Sequence, residues 1–273
     1  MSDNAKVGQR VKKLEQFDEV DPNAGANVVD LTLASTRVER AGSVASGKSK
    51  QKVAVLAHWS PTPKLSLSVK RLVEELMDRG YAIVVSSTCE SSSPLEFGPD
   101  PIPAGITVVR RPNIGYDFGS WAVCLEMFPQ IRGVSHVLLI NDSMVGPFDT
   151  IADVLEDFED SQSDVWGLTE STQFGVHLQS FAIGFRFGVL DEKPLRQFWR
   201  GICVQESKSK LIFKYEIGLS RLIRRSRMSS RAYFPERSVV SDQTNPTIFG
   251  WQRLIHMGLP MVKRELVQDF FVG

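Results

Sequence analysis

The sequence has few cysteines, no excess of either charge and no long apolar run, and each absence excludes a class of protein. Three scattered cysteines in 273 residues cannot make a disulfide framework or a metal-ligand cluster. Basic and acidic side chains balance at 32 each, so no overall field attracts nucleic acid. No run approaches the roughly 18 apolar residues of a membrane-spanning helix. The N-terminus also lacks the apolar core of a signal peptide. We therefore expect a soluble cytoplasmic protein, with attachment to the inner face of the plasma membrane through a partner as the alternative.

Several catalytic motifs are also missing. There is no dinucleotide-binding glycine fingerprint and no serine-hydrolase elbow. The Gly-Lys-Ser at 47–49 lacks the first glycine and the preceding strand of a phosphate-binding loop. The four histidines show no metal-ligand spacing. These absences disfavour dehydrogenases, serine hydrolases and phosphoryl-transfer enzymes.

What the sequence does contain is an alternation of short apolar runs and amphipathic segments from about Lys52 onward. This pattern predicts βαβ units, and hence an α/β fold with a Rossmann-type, mostly parallel central sheet flanked by helices and a helical C-terminal part. Among its elements we expect a helix after the first strand, with apolar positions from Leu67 to Met77 and Gly80 as its C-terminal cap, and one strand over 177–186. Residues 52–273 are expected to form one domain. Residues 1–51 are polar and end in a Gly/Ser/Lys-rich segment. They are predicted to be a flexible or partly docked extension, with a short helix over 11–17 and an extended piece over 28–33.

The most informative stretch is VSHVLLINDSMVGPF, residues 134–148. Its apolar run reads as a buried parallel strand that stops at Asn141, Asp142 and Ser143. Open α/β sheets bind ligands beyond the carboxyl ends of their strands, so these side chains are candidate ligand-binding residues. Asp142 is a candidate ligand for Mg²⁺ or Mn²⁺. The alternative is a strand capped by a local side-chain turn.

A second polar turn, RRPNIGYDFGSW, joins the third predicted strand to a helix. Glycines let the backbone approach a ligand, and the rings of Tyr116 and Trp121 offer flat faces. The candidate binding residues here are Arg111, Asn113, Gly115, Tyr116 and Asp117. The alternative is an ordinary helix start with Asp117 as its N-cap.

Two further residues are candidates for the same ligand-binding site. His58 ends the first predicted strand. Glu216 lies among apolar neighbours at a predicted helix start, where it could accept a proton from a hydroxyl group. An acidic residue that complements the helix dipole is an equally good explanation for Glu216.

Seven segments in order between about Val53 and Leu266 resemble the rhamnan synthesis protein F family, which comprises glycosyltransferase-like proteins of bacterial polysaccharide assembly. They are RRPNIGYDFGSW, LLINDSMVGPF, DVWGLTES, HLQSFAIGF, LRQFWRGI, KYEIGLS and NPTIFGWQRLIHMGLPMVKREL. The resemblance implies a GT-A-like nucleotide-sugar fold. It also implies inverting transfer of a sugar, L-rhamnose from dTDP-L-rhamnose, to a growing cell-surface glycan or lipid-linked glycan.

The resemblance also implies roles for individual residues. Asn141, Asp142 and Ser143 stand where such enzymes carry Asp-x-Asp, here with one aspartate in place of two. Asp142 would position Mg²⁺ or Mn²⁺, and Glu216 would be the general base with Asp117 as a second catalytic carboxylate. Trp166 and Gln179 would shape the acceptor side. A non-catalytic nucleotide-sugar or glycan-binding module within an assembly complex is the competing hypothesis.

Overall fold

The computed structural model describes residues 21–42, 44, 51–98, 101–241 and 243–267. Within them the chain forms an α/β fold whose central sheet has nine strands, with a separate two-stranded sheet beside it. The strands are β1 (Arg37–Arg40), β2 (Lys52–His58), β3 (Ala82–Ser87), β4 (Ile106–Arg110), β5 (His136–Asn141), β6 (Met144–Val145), β7 (Val165–Ser171), β8 (His177–Leu178), β9 (Ala182–Arg186), β10 (Ser230–Phe234) and β11 (Val262–Lys263).

The central sheet is mostly parallel, as the alternating pattern predicts. Its order is β1, β4, β3, β2, β5, β9, β7, β10, with β8 paired to β7, and the small sheet pairs β6 with β11. Strands β4, β3, β2 and β5 are parallel to one another. Strands β1 and β9 run antiparallel to their neighbours. The carboxyl ends of β2, β3, β5 and β7 therefore meet the beginning of β9 at one edge, which we call the cleft edge.

Helices cover both faces of this sheet. They are α1 (Val28–Thr32), α2 (Leu67–Asp78), α3 (Tyr116–Met127), α4 (Ala152–Asp160), α5 (Lys193–Arg200), α6 (Lys208–Leu211), α7 (Ile217–Arg225), α8 (Glu236–Val239), α9 (Pro246–Phe249), α10 (Trp251–His256) and α11 (Arg264–Val267), and a π-helical turn over Ile212–Glu216 joins α6 to α7. Alternate residues of β2 belong to two different apolar clusters: Val53 and Val55 to one, Ala54 and Leu56 to the other. Because alternate side chains of a strand point to opposite faces, the sheet is buried on both sides.

The predicted helix after the first strand shows how local signals set these elements. Ser66 caps α2 by accepting a hydrogen bond from the Val69 N–H at 3.3 Å. Gly80 follows the helix with a φ of +78°, a conformation that glycine adopts without steric cost. Both signals agree with the expected start and end of the helix.

The second half departs from the prediction in two places. The segment 177–186, expected to be one strand, is interrupted between β8 and β9, because Gln179, Ser180 and Phe181 turn across the cleft edge. The stretch Ser230–Phe234, expected within a helical region, is strand β10. It forms a strand because it pairs with β7 and buries Ala232 and Phe234, and these tertiary contacts outweigh the helical pattern of the neighbouring segments.

Residues 21–42 pack on the domain. The segment expected to be extended over 28–33 is instead the short helix α1, capped by Asn27. The fully buried Val28 lies against α3, and its N–H donates to Ile202 O at 2.9 Å. Strand β1 adds to the edge of the sheet, and Glu39 forms an ion pair with Arg110 at 3.1 Å. The helix predicted over 11–17 lies outside the described residues.

None of the helices in the described residues combines the length and the apolar character needed to cross a lipid bilayer.

Candidate functional site

The cleft edge brings together side chains from distant parts of the chain. The N–H of Asn141, at the end of β5, donates to Phe181 O at 3.1 Å, and the N–H of Asp142 donates to Ala57 O at 3.2 Å. These bonds place the Asn141–Ser143 segment between the end of β2 and the beginning of β9. The segment therefore lies where the fold predicts a ligand-binding crevice.

Asn141 and Asp117 lie together at the cleft edge. Asn141 Nδ2 donates to Asp117 Oδ2 at 2.6 Å, and Asn141 Oδ1 accepts from the Ser143 N–H at 3.1 Å. Burial raises the pKa of Asp117 above its usual value, while the bond from Asn141 opposes that shift. Asp117 lies in the first turn of α3 but does not cap it, since the N-cap position is Gly115 and no side chain caps this helix. Its carboxylate faces the cleft instead.

Asp142 follows directly on the same strand end. Its Oδ2 accepts from the Trp59 N–H at 3.1 Å and lies 4.0 Å from the Arg264 guanidinium. Burial raises the pKa of Asp142 to about 6, with the Trp59 N–H and the Arg264 charge opposing the shift. The Asp142 carboxyl group therefore titrates at a higher pH than an ordinary aspartate.

Two basic residues that the sequence analysis did not single out complete this end of the cleft. Lys263 lies opposite Met144 in the pairing of β11 with β6. Its Nζ donates to Ser143 Oγ at 3.2 Å and lies 4.9 Å from the centre of the Phe181 ring. The Arg264 side chain donates to Asp142 O at 2.6 Å. Both residues belong to the Val-Lys-Arg of the last segment that resembles the family. Their place beside Asp142 and Ser143 depends on the pairing of two short strands that are distant in the sequence.

Glu216 belongs to the π-helical turn and borders the opposite side of the cleft edge. Its Oε2 accepts from the Ser180 N–H at 2.7 Å and from the Ser180 hydroxyl, and its Oε1 lies 3.4 Å from His177 Nε2. Burial would raise the pKa of Glu216, but the bonds and charge of His177 and the bonds from Ser180 outweigh burial and lower it. For His177, burial lowers the pKa, yet the hydrogen bond and charge of Glu216 raise it overall. Glu216 is therefore an ionised carboxylate at neutral pH.

His58 ends β2 at the cleft edge, and its side chain is buried. Its Nδ1 lies 3.0 Å from Ser87 Oγ. Burial lowers the pKa of His58 to about 4, and the charges of Arg264 and Arg110 add to that shift. The ring is neutral at physiological pH and supports the floor of the cleft.

The turn before α3 is held together from inside. The buried Arg111 donates to Ser120 Oγ at 3.0 Å and to Ile114 O, so it braces the turn. Burial lowers the pKa of Arg111 to about 10. A Cβ atom added at Gly115 would lie 2.6 Å from a methyl group of Val28. This glycine therefore gives room to the N-terminal segment, in addition to adopting a φ of +82°.

Asn113 and Tyr116 lie on the outer side of the same turn. Both are exposed, Tyr116 to 47%. Trp121, whose ring was a candidate binding face, is fully buried and donates to Val55 O at 3.1 Å. Of the aromatic rings in this turn, Tyr116 is the one that reaches solvent.

The two residues expected on the acceptor side, Gln179 and Trp166, lie in different parts of the fold. Gln179 lies behind the cleft edge, where it accepts from Thr169 Oγ1 at 2.7 Å and donates to Asn245 Oδ1 at 3.1 Å. Trp166 does not reach the cleft, because it lies level with Leu138 in the middle of the sheet. It is buried against Phe158, and its Nε1 donates to Asp157 at 2.7 Å. Trp199 in α5 is also buried.

The side chains at the cleft do not fit a divalent cation. Within the described residues, no three His, Cys, Asp or Glu side chains are grouped so as to hold a metal ion. Asp142 already accepts from Trp59, and Asp117 from Asn141. Hard cations prefer several oxygen ligands, whereas here two cationic side chains lie at the same strand end and would repel a metal ion.

Comparison with known proteins adds a family. The sequence model of the rhamnan synthesis protein F family matches residues 105–270. Virulence protein VirA of Vibrio anguillarum is 29% identical over 194 residues, which cover 59% of this chain and 62% of VirA. The uncharacterized protein y4gN of Sinorhizobium fredii is 26% identical over 175 residues, covering 62% of this chain and 45% of y4gN. The chain therefore spans less than two thirds of the length of either relative.

Among solved structures, a glycosyltransferase involved in the glycosylation of the major capsid of PBCV-1 covers 78% of this chain and 94% of its own. It shares 14% identity with a TM-score of 0.39. A likeness at this level carries no conclusion about fold or activity.

Proposed function

The chain belongs to the rhamnan synthesis protein F family, and on this premise we propose that its cleft is the active site of a glycosyltransferase. The observation that carries the proposal is the convergence of Asp117, Asn141–Ser143 and Glu216 at the carboxyl ends of the parallel strands. Crevices at this place in open α/β sheets bind ligands, and three carboxylates with different pKa shifts are typical of a catalytic site.

The proposed donor is a nucleotide-activated deoxyhexose, dTDP-L-rhamnose. Its diphosphate would lie against Asn141–Ser143, and its nucleoside against the turn that carries Asn113 and Tyr116. In the proposed inverting step, an acceptor hydroxyl oxygen attacks the anomeric carbon. The bond from that carbon to the diphosphate oxygen breaks, its electron pair leaves with dTDP, and the hydroxyl proton passes to a carboxylate of the protein.

Glu216 is the proposed general base. A base must be ionised, and the lowered pKa of Glu216 keeps it so. The Ser180 hydroxyl donates to this carboxylate, so the acceptor hydroxyl would have to displace it. In the proposed complex the acceptor hydroxyl takes that position. Asp117 would orient the donor sugar from the other side of the cleft.

The acceptor is proposed to be a growing glycan, free or lipid-linked, of a bacterial cell-surface polysaccharide. A groove of about 1230 Å³ between α5 and α7 supports the proposal that the protein binds a membrane surface. Its residues include Phe213, exposed to 53%, and Phe174, exposed to 69%. Within the described residues its lining has five cations and no carboxylate; the cations are Lys193, Lys210, Lys214, Arg221 and Arg225. Lys210 forms a salt bridge with Glu206, which leaves four cations for a lipid surface. Aromatic rings framed by basic residues match an anionic lipid surface, to which each cation adds about 1 kcal/mol.

Sedimentation with vesicles tests this docking. The protein should bind phosphatidylglycerol vesicles and leave phosphatidylcholine vesicles unbound. A Phe213→Ser, Arg225→Glu double variant should lose the binding. Equal binding to both lipids, or no binding to the anionic one, would refute the membrane role.

One observation favours a non-catalytic binding module instead. Both oxygens of Glu216 already have partners, Ser180 and His177, and a carboxylate held in this way serves a structural role as well as a catalytic one. The module would bind a nucleotide sugar or glycan without consuming it.

Incubation with a panel of nucleotide sugars and a rhamnose-containing acceptor separates the two functions. Mass spectrometry of the acceptor, with and without Mn²⁺, should show the mass of one added deoxyhexose with dTDP-L-rhamnose. Saturable binding of a nucleotide sugar without any turnover would support the module. Neither binding nor turnover with any donor would refute both.

A further inference from the structure

The cationic end of the cleft has no assigned role in either function. Lys263 is half-buried, and within the described residues its ammonium group forms no salt bridge. Its close partners are the Ser143 hydroxyl and the face of Phe181. Burial lowers the pKa of Lys263, and the carboxylates of Glu265, Glu216 and Asp117 oppose that shift without forming a salt bridge with it. An anion in direct contact would stabilise the charged ammonium group further.

The position of Lys263 is fixed by the fold. Pairing of β11 with β6 holds its backbone beside Ser143, and the Arg264 N–H donates to Ser143 O at 2.9 Å. The Arg264 side chain binds Asp142 O. Lys263 therefore projects at the strand end where a diphosphate would lie, and Arg264 holds Asp142 in place beneath it.

The same strand end offers a poor metal site. Asp142 lies 4.0 Å from the Arg264 guanidinium, and Lys263 contacts the neighbouring Ser143. The second carboxylate, Asp117, already accepts from Asn141. An ammonium group can supply the positive charge that a departing diphosphate needs, without a metal ion.

We propose that the Lys263 ammonium group binds the diphosphate of the donor and stabilises it as it leaves, so that donor binding does not need a divalent cation. This inference rests on the proposed function, because it requires a nucleoside diphosphate in the cleft. Lys263 would be a catalytic residue of the transfer, and Arg264 a positioning residue.

Isothermal titration calorimetry with dTDP, in EDTA and again in Mn²⁺, tests the inference independently of activity. We expect dissociation constants in the two buffers within about threefold of each other. Lys263→Met should weaken binding about 10- to 100-fold, the range for one charge-assisted hydrogen bond. Lys263→Arg should keep most of the affinity, which guards against a variant that merely misfolds.

Lys52→Met is the matched control, because it removes the same charge at the opposite edge of the sheet, where Lys52 pairs with Glu159. Its dTDP affinity should equal that of the wild type. Binding that requires Mn²⁺ and survives Lys263→Met would overturn the inference while leaving the glycosyltransferase intact. No dTDP binding in either buffer would remove the proposed donor site itself, and the inference with it.

Discussion

Asn141 Nδ2 donates a hydrogen bond to Asp117 Oδ2 across 2.6 Å, and this bond ties the end of β5 to the first turn of α3. The same amide accepts from the Ser143 N–H, so one side chain sets both the carboxylate and the turn after the strand. Two segments 24 residues apart become a single rigid wall of the cleft. The amide is suited to this place because it donates on one side and accepts on the other.

The first prediction follows from that bond. Asn141→Asp replaces the donor with a second acceptor and sets two buried carboxylates against each other, which should lower the free energy of unfolding by about 1–3 kcal/mol at pH 7. The loss should shrink at pH 5, because the pair can then share a proton. Urea unfolding at both pH values measures it.

Asn245→Asp provides the control, since Asn245 caps α9 by accepting from the Thr247 N–H and an aspartate can do the same. Equal stability of the two variants would mean that the hydrogen bond from Asn141 to Asp117 makes no particular contribution to the free energy of unfolding.

A second prediction concerns His58, whose pKa is lowered to about 4. A histidine with a lowered pKa stabilises the fold fully above its unfolded pKa of 6.5, and that contribution is lost as the pH falls toward 4. Stability should therefore drop by about 2 kcal/mol between pH 7 and pH 5 on account of this residue. His58→Gln should flatten that part of the stability profile, and a profile of unchanged slope would contradict the buried neutral ring.

The third prediction tests the close packing around Gly119 in α3. A Cβ atom at Gly119 would lie 2.7 Å from Ile114 O and 3.0 Å from Val28 Cγ1. Gly119→Ala should therefore destabilise the protein by about 1–3 kcal/mol. Gly105→Ala, where a Cβ atom meets nothing within 4 Å, should stay within about 0.5 kcal/mol of the wild type. Thermal unfolding of the two variants measures the difference, and equal midpoints would mean that neither Ile114 nor Val28 packs closely against this glycine.

The fourth prediction concerns the pair formed by Glu216 and His177. The lowered pKa of Glu216 contributes stability above its usual value of 4.5, and that contribution is lost in acid. The raised pKa of His177 contributes stability below 6.5 and is lost as the pH rises through the folded value. The coupling between the two should therefore be largest near pH 5.5 and weaker at pH 8.5.

A double-mutant cycle with Glu216→Gln and His177→Gln, measured by urea unfolding at both pH values, reports this coupling. A coupling that is independent of pH would show that the two groups interact only as neutral hydrogen-bonding partners.

The parallel core of the fold could be predicted from the sequence because its signals are local. The strand that ends at Asn141 is buried over Val137–Ile140, as an apolar run of a parallel sheet requires. The polar residues at its end follow from the strand itself. The strand was therefore predicted correctly, whereas the ligand site at its end and the roles of its residues stay predictions.

The remaining parts depend on contacts between distant segments. Ser180 faces Glu216 only because the strand predicted over 177–186 breaks at the cleft edge. Lys263 reaches Ser143 through a two-residue strand, which has too little sequence to show a period. Trp166 was a candidate for sugar binding on its aromatic character, but its register in β7 places it in the core.

The most direct test of the account is the initial rate of dTDP release from dTDP-L-rhamnose in the presence of acceptor, compared between wild type and Glu216→Gln. A general base of this kind contributes on the order of 10²–10⁴-fold, so kcat should fall by at least about 100-fold. The dTDP dissociation constant should stay unchanged. Glu192→Gln, an exposed control at the start of α5, should keep the wild-type rate. Wild-type turnover by Glu216→Gln with the same donor and acceptor would contradict the assignment of this cleft as the active site.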